Sequence, residues 1–154
     1  MFRAGYTWLV RLVVVPEPSS YPGERLGLPE SGRGSIGRLG RRIGALAIDL
    51  AASSLIAYAF FPVYDEVTGV SFANPWAANI IFVLLQILFI PTIGGSPGHR
   101  LAGLRVLRID GAWAGLWRPV VRTALLVLLI PAVIWDSDQR GLHDKAAGTI
   151  LVRA

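Results

Sequence analysis

Three apolar runs hold only two formal charges between them, and this constrains the chain more than any motif it carries. Residues 43–63 contain Asp49 as their one charge, residues 76–93 contain none, and residues 119–135 contain Arg122. At about 1.5 Å rise per residue the first two runs reach roughly 30 Å, the hydrocarbon thickness of a bilayer. The third is at the short limit for a span and is interrupted by Pro131. The fold class expected is an all-α membrane protein with about three hydrophobic transmembrane segments. Composition agrees: 53% of the 154 residues are hydrophobic and 16% charged, against about a quarter charged in soluble domains. Disorder is excluded for most of the chain. The absence of cysteine excludes a disulfide framework, thiolate metal sites and cysteine nucleophiles.

The net charge of +5 fits nucleic acid, an anionic membrane surface or a topology signal, and the positions of the charges decide among them. Seven arginines precede the first run, the 64–75 loop has no basic residue but contains Asp65 and Glu66, and the 94–118 loop carries Arg100, Arg105, Arg108 and Arg118. Basic loops stay in the cytoplasm. The N-terminus is therefore expected inside, the first loop outside and the second inside. The partners expected are the lipid bilayer and its anionic headgroups, not nucleic acid. A third crossing would carry the tail outside, yet that tail holds Arg140, Lys145 and Arg153. If the third run instead turns back at Pro131, residues 149–152 can pair in the cytoplasm with the alternating strand pattern of 104–107, which ends at the Asp110-Gly111 turn signal.

Residues 1–34 mix arginine with four prolines and read as a flexible cytoplasmic arm, ahead of a membrane domain over 35–154. No cleavable signal is read there, because Arg11 breaks the 8–15 apolar stretch before Pro-Glu-Pro. Residues 6–15 could form a short strand or an interfacial segment, or belong to the arm.

Ionisable groups in hydrocarbon cost about 2.5–3.5 kcal/mol on insertion scales, so they face partners or water. Asp49 lies ~9 Å inside its helix, Gln86 ~10 Å from the same side and Arg122 ~5 Å in. All three fall in one half of the membrane, where Asp49 and Arg122 invite pairing and Gln86 can donate or accept. Arg42 precedes Asp49 by two helical turns and projects from the same face. An intramembrane cluster of Arg42, Asp49, Gln86 and Arg122 is the candidate site. Arg122 can snorkel to the headgroups, whereas the short Asp49 side chain must be neutral, paired or hydrated. Such a carboxylate serves either proton coupling or helix fastening.

The Gly94-Gly95-Ser96-Pro97-Gly98-His99-Arg100 loop lacks the spacing of a Walker phosphate loop and reads as a tight turn whose arginines touch lipid phosphates. His143 and Asp144, adjacent in an extended chain, would point to opposite faces, and no further His or Cys ligands complete a metal site. No nucleophile with a base is present. Neither an enzyme nor a cofactor is expected.

Four pieces in order carry a resemblance: Arg42-x-x-Ala45-x-x-Ile48-Asp49; Gly94 through Val106; Asp110-Gly111; and Gly141-Leu142-His143-Asp144-Lys145 running on to Val152. Together they resemble the RDD family of small bacterial membrane proteins, over about residues 35–152. The resemblance implies that the signature arginine falls on Arg42, with Arg41 as alternative, the first aspartate on Asp49, and the second on Asp144, with Asp136 as weaker alternative. His99 stands where the family often has lysine, and the distance from Arg122 to Asp144 is short for the family. The resemblance also implies a bacterial plasma-membrane location and a link to transport. A 16.6 kDa chain is small for a transporter, so a path would need several copies or a larger complex. Two expectations stand: a component of ion or small-solute transport, or a non-catalytic accessory or assembly subunit.

Overall fold

The computed structural model describes residues 19–128 and 140–154. The elements are α1 (Leu39–Phe60), β1 (Pro62–Asp65), β2 (Val70–Ala73), α2 (Pro75–Ile93), α3 (Pro97–Leu101), β3 (Leu104–Arg108), α4 (Trp117–Val127), α5 (Leu142–Ala146) and β4 (Thr149–Arg153). The 6–15 stretch, Pro131 and Asp136 lie outside the described residues.

Helix α1 ends where Phe61 donates to Ala57 O at 2.8 Å and Pro62 follows, since the residue before a proline is biased away from helical geometry. Helix α2 starts from an Asn74 cap, whose side chain accepts from Trp76 N and Ala77 N, with Pro75 in the first turn where its missing N–H costs nothing. It stops at Gly94, which takes the left-handed conformation at φ 76°. At 22 and 19 residues, both helices are long and apolar enough to cross a membrane.

The two helices are inside out relative to a soluble pair. The buried residues of α1 are Arg42, Ala45, Asp49, Ser53 and Ala57, a stripe of small and polar side chains at three- and four-residue spacing. Its bulky side chains, Ile43, Leu50, Leu55, Tyr58 and Phe60 among them, face outward, as do Ile80, Leu84 and Leu88 of α2. Small residues let helix backbones approach closely, while large exposed apolar faces suit lipid.

The chain is helix-rich, not all-α, and only two candidate spans occur among the described residues. The described part of the third run belongs to α4, an 11-residue helix that buries Pro119, Arg122 and Thr123. The 64–75 loop is also partly strand: β1 and β2 pair antiparallel from Pro62↔Ala73 to Asp65↔Val70. Asp65 stabilises that turn by accepting from Val67 N at 2.8 Å, and Gly69 closes it at φ 69°.

A compact cap covers the Arg42 end of the helix pair. Strands β3 and β4 pair antiparallel, Leu104 opposite Arg153 and Leu107 opposite Ile150, as the alternating pattern predicts. Ile36 adds a bridge to Val152, and Gly34 N donates to Arg153 O at 2.9 Å. Residues Glu24–Leu26 of the arm form one 3-10 turn. The apolar core of the cap joins Leu104, Val106 and Leu151 to Ala45 of α1 and Ile90 of α2.

Helix α3 lies so close to α1 that a Cβ on Gly98 would stand 2.1 Å from Ala45 O and 2.8 Å from Asp49 Cγ. Backbone on one side and a buried carboxylate on the other leave no room to yield. Gly98→Ala should therefore lower stability by about 3 kcal/mol or abolish folding, measured by thermal unfolding in micelles. Gly44→Ala, where a Cβ meets nothing within 4 Å, should instead gain up to about 1 kcal/mol from helix propensity.

Candidate functional site

Two aspartates with no solvent exposure organise the junction between the helix pair and the cap. Asp49 projects from the buried stripe of α1 and receives donors from two other segments. Gly98 N donates to Oδ1 at 2.7 Å, Gln86 Nε2 to Oδ2 at 3.0 Å, and the Ser96 hydroxyl also to Oδ2. Asp144, on α5, receives Arg42 Nη1 at 2.9 Å and Arg122 Nε at 2.6 Å. Arg42 is further fixed by Nε donating to Gly37 O at 2.6 Å. Charge-assisted bonds of this kind are short and strong, and a buried carboxylate needs them to stay ionised.

The expected pairing of Arg122 with Asp49 does not occur. Arg122 turns to Asp144, which already faces Arg42, while the oxygens of Asp49 are taken by amide, hydroxyl and backbone donors. Arg42 and Asp49 do share a face of α1 but serve different carboxylates. Arg41, the alternative signature arginine, donates from an exposed position to Ala102 O at 2.8 Å.

Two further expectations are corrected. The 94–100 loop is not a surface turn: Ser96 and His99 are buried, and only Arg100 of its charged residues is exposed. Ser96 caps α3 by accepting from His99 N at 3.2 Å, with Pro97 in the first turn. This Ser-Pro start signal was legible and could have revealed the inward helix. Residues 142–146 are helical instead of extended, so His143 and Asp144 are both buried, with 3.6 Å between His143 Nε2 and Asp144 Oδ2. Ser96, Gly98, His99 and His143 thus join a site whose sequence outline lacked them.

His99 connects the two carboxylate centres. Its Nε2 stands 3.3 Å from Arg122 Nη2, and its Nδ1 faces the Ser96 backbone N–H at 3.3 Å, the reciprocal half of a capping box. Nδ1 also lies beside the Ser96 hydroxyl, which in turn donates to Asp49. A continuous line of polar contacts runs from Asp144 through Arg122, His99 and Ser96 to Asp49. Burial first, and the Arg122 guanidinium second, push the His99 pKa down from 6.5 to about 3, so the ring is neutral and its 4.0 Å approach to Asp49 Oδ2 is not an ion pair. For Asp144, burial opposes ionisation, but Arg122 above all outweighs it and holds the carboxyl well below its ordinary range.

Beside this line lies a cavity of about 80 Å³, bounded by Arg42, Asp49, Gln86, His99, Arg122 and His143 and by the aliphatic Ile43, Leu46, Leu126 and Leu151. Gln86 Oε1 and Arg122 Nη1 are buried with no hydrogen-bond partner. Among the described residues no three His, Cys, Asp or Glu side chains converge as metal ligands.

The sign of the pH dependence follows from His99. Its folded value lies below its ordinary one, so between about pH 6.5 and 3 the unfolded chain binds a proton that the folded chain refuses. Stability is full above pH 6.5 and falls with acidification, by at most about 1.4 kcal/mol per pH unit. Asp144 works in the same direction lower down: its contribution is present above its ordinary 3.8 and is lost as pH falls through its lowered folded value. Unfolding midpoints between pH 7.5 and 4.5 should show the His99 slope in the wild type and a flatter profile in His99→Gln; equal slopes would refute this origin.

No curated protein and no solved structure matches the chain. The RDD family profile matches residues 36–148, well over half of the sequence, and spans α1 to α5 with Arg42, Asp49 and Asp144 inside it. Two membrane-length helices that carry their polar groups inward, together with this match, point to a membrane protein, and the chain belongs to the RDD family.

Proposed function

We propose that this RDD protein is a multi-pass component of the bacterial plasma membrane and acts there as a non-catalytic accessory or assembly subunit of a larger complex. The observation that carries this reading is the engagement of both buried carboxylates by donors from other segments. Such an arrangement fastens a cap to a helix pair. The outward apolar faces of α1 and α2 support it as well. Only 22% and 17% of their apolar windows are buried, so two helices alone enclose no path and have surface to offer lipid or neighbouring helices. The N-terminus lies in the cytoplasm on this reading, since exposed Arg38, Arg41, Arg100, Arg105 and Lys145 all cluster around the cap, where they meet anionic headgroups.

A second reading, a component of ion or small-solute transport, is favoured by the cavity beside Asp49 and its unpartnered polar atoms. A path would then need several copies of the chain or a partner subunit.

Asp49→Asn separates the two. The amide would set a donor against Gly98 N–H, or against Gln86 and Ser96, at a cost on the order of 1–3 kcal/mol. The accessory reading predicts less protein in the membrane, a lower melting midpoint and loss of a co-purifying larger partner in mild detergent, with no flux to lose. Proton or cation flux through vesicles holding the purified wild-type chain, abolished by Asp49→Asn at normal protein level, would overturn it.

A further inference from the structure

The described part of the third apolar run is α4, and its contacts fix where it starts and which way it points. Trp113, four residues ahead of α4, donates from Nε1 to Pro91 O at 2.7 Å, so α4 begins level with the cap end of α2. It then packs along α2. Leu126, near its far end, borders the same cavity as Gln86, which lies five residues deeper in α2 than Pro91, so the two helices run in opposite directions. The inward side of α4 holds Pro119, Arg122 and Thr123. Its outward side holds Trp117, Ala124 and Val127, and the exposed Leu128 follows. A helix on a soluble protein turns these two sides the other way round.

We infer that α4 is a half-membrane helix: it descends from the cap into one leaflet, lays its outer side against the acyl chains of that leaflet, and returns the chain to the compartment it left. Leu128 lies roughly 10–15 Å beyond the level at which α2 ends, near the middle of a ~30 Å hydrocarbon layer. By Asp144 the chain is again beside the start of α1, bonded to Arg42 Nη1 at 2.9 Å, and Arg153 O accepts from Gly34 N at 2.9 Å inside the cap. Only residues 129–139 separate Leu128 from Arg140. Passing through the far leaflet and back would take roughly 45 Å of chain beyond Leu128. Those 11 residues reach about 17 Å as helix and at most about 40 Å fully extended, a form that lipid does not admit. A direct return needs about ten helical residues. Among the described residues only the β1–β2 hairpin then faces the far compartment, so a partner on that side has only the hairpin to recognise. This inference rests on the membrane placement proposed above, not on the choice between accessory and transport roles.

The full chain has no cysteine, so single cysteines report position directly. Ser31→Cys, Val67→Cys in the hairpin turn and Ala154→Cys replace exposed side chains, and each is treated with a membrane-impermeant maleimide in spheroplasts and in inverted vesicles of the expressing cells. Ser31→Cys and Ala154→Cys should react in one preparation and Val67→Cys in the other, each with at least tenfold preference. Ala154→Cys reacting together with Val67→Cys would mean that the third run crosses, and would overturn the inference. Depth is read from a nitroxide on Leu128→Cys or Trp117→Cys in phosphatidylcholine nanodiscs. At position 128 the label should be shielded from a water-soluble nickel chelate and relaxed by dissolved oxygen, with the reverse preference at 117. Equal nickel access at both would mean that α4 lies flat on the surface, and would overturn the inference as well. Failure of the membrane placement looks different: all three maleimide sites would react equally in both preparations, which removes the inference together with the reading beneath it.

Discussion

A carboxylate removed wholly from water must be met by donors, and in this chain those donors come from elsewhere in the sequence. Asp144 takes one arginine from α1 and one from α4; Asp49 takes an amide from α2 and a hydroxyl and a backbone N–H from the start of α3. Removing any one of the donor segments strips a buried carboxylate of part of its compensation. The rest of the architecture follows from that requirement. The α2–α3 connection must turn inward, Gly98 must lack a side chain, and α5 must sit over the end of α1.

The same requirement explains why the helices look inverted. Their buried polar side chains, Arg42, Asp49, Ser53 and Gln86, face inward, and bulky apolar groups cover the outside, which suits a hydrocarbon surround. The cap, by contrast, is held as a soluble protein is held, by a small apolar core and a strand pair. His99 is what makes the two carboxylate centres one unit: a neutral ring that touches the Arg122 guanidinium at Nε2 and Ser96 at Nδ1 links Asp144 to Asp49 without adding charge.

Much of this was readable in the sequence wherever a period or a depth argument applied. Seven residues separate Arg42 from Asp49, which fixes a shared helix face. The two-residue alternation of 104–107 and the β-branched run of 149–152 identify strand partners. What escaped was long-range choice of partner. Nothing local says that Arg122 prefers a carboxylate 22 positions later on a short helix to one on α1 at similar depth. The expectation that Gly-rich connections lie at the surface failed because this one supplies the donors for Asp49. A five-residue helix such as α5 is too short to show a period, so His143 and Asp144 read as extended. The β1–β2 hairpin was missed for the same reason: four residues per strand, next to a charged turn, look like loop.

The central claim is that the α1–α5 ion pair fastens cap to helices, and a double-mutant cycle on Arg42→Gln and Asp144→Asn measures it most directly. With reversible unfolding in mixed micelles, each single change should cost about 3–5 kcal/mol, because it strands a buried charge. The double change should cost clearly less than their sum, with a coupling on the order of 2 kcal/mol or more. Additive losses would mean that the two side chains stabilise the fold independently, and would contradict the account.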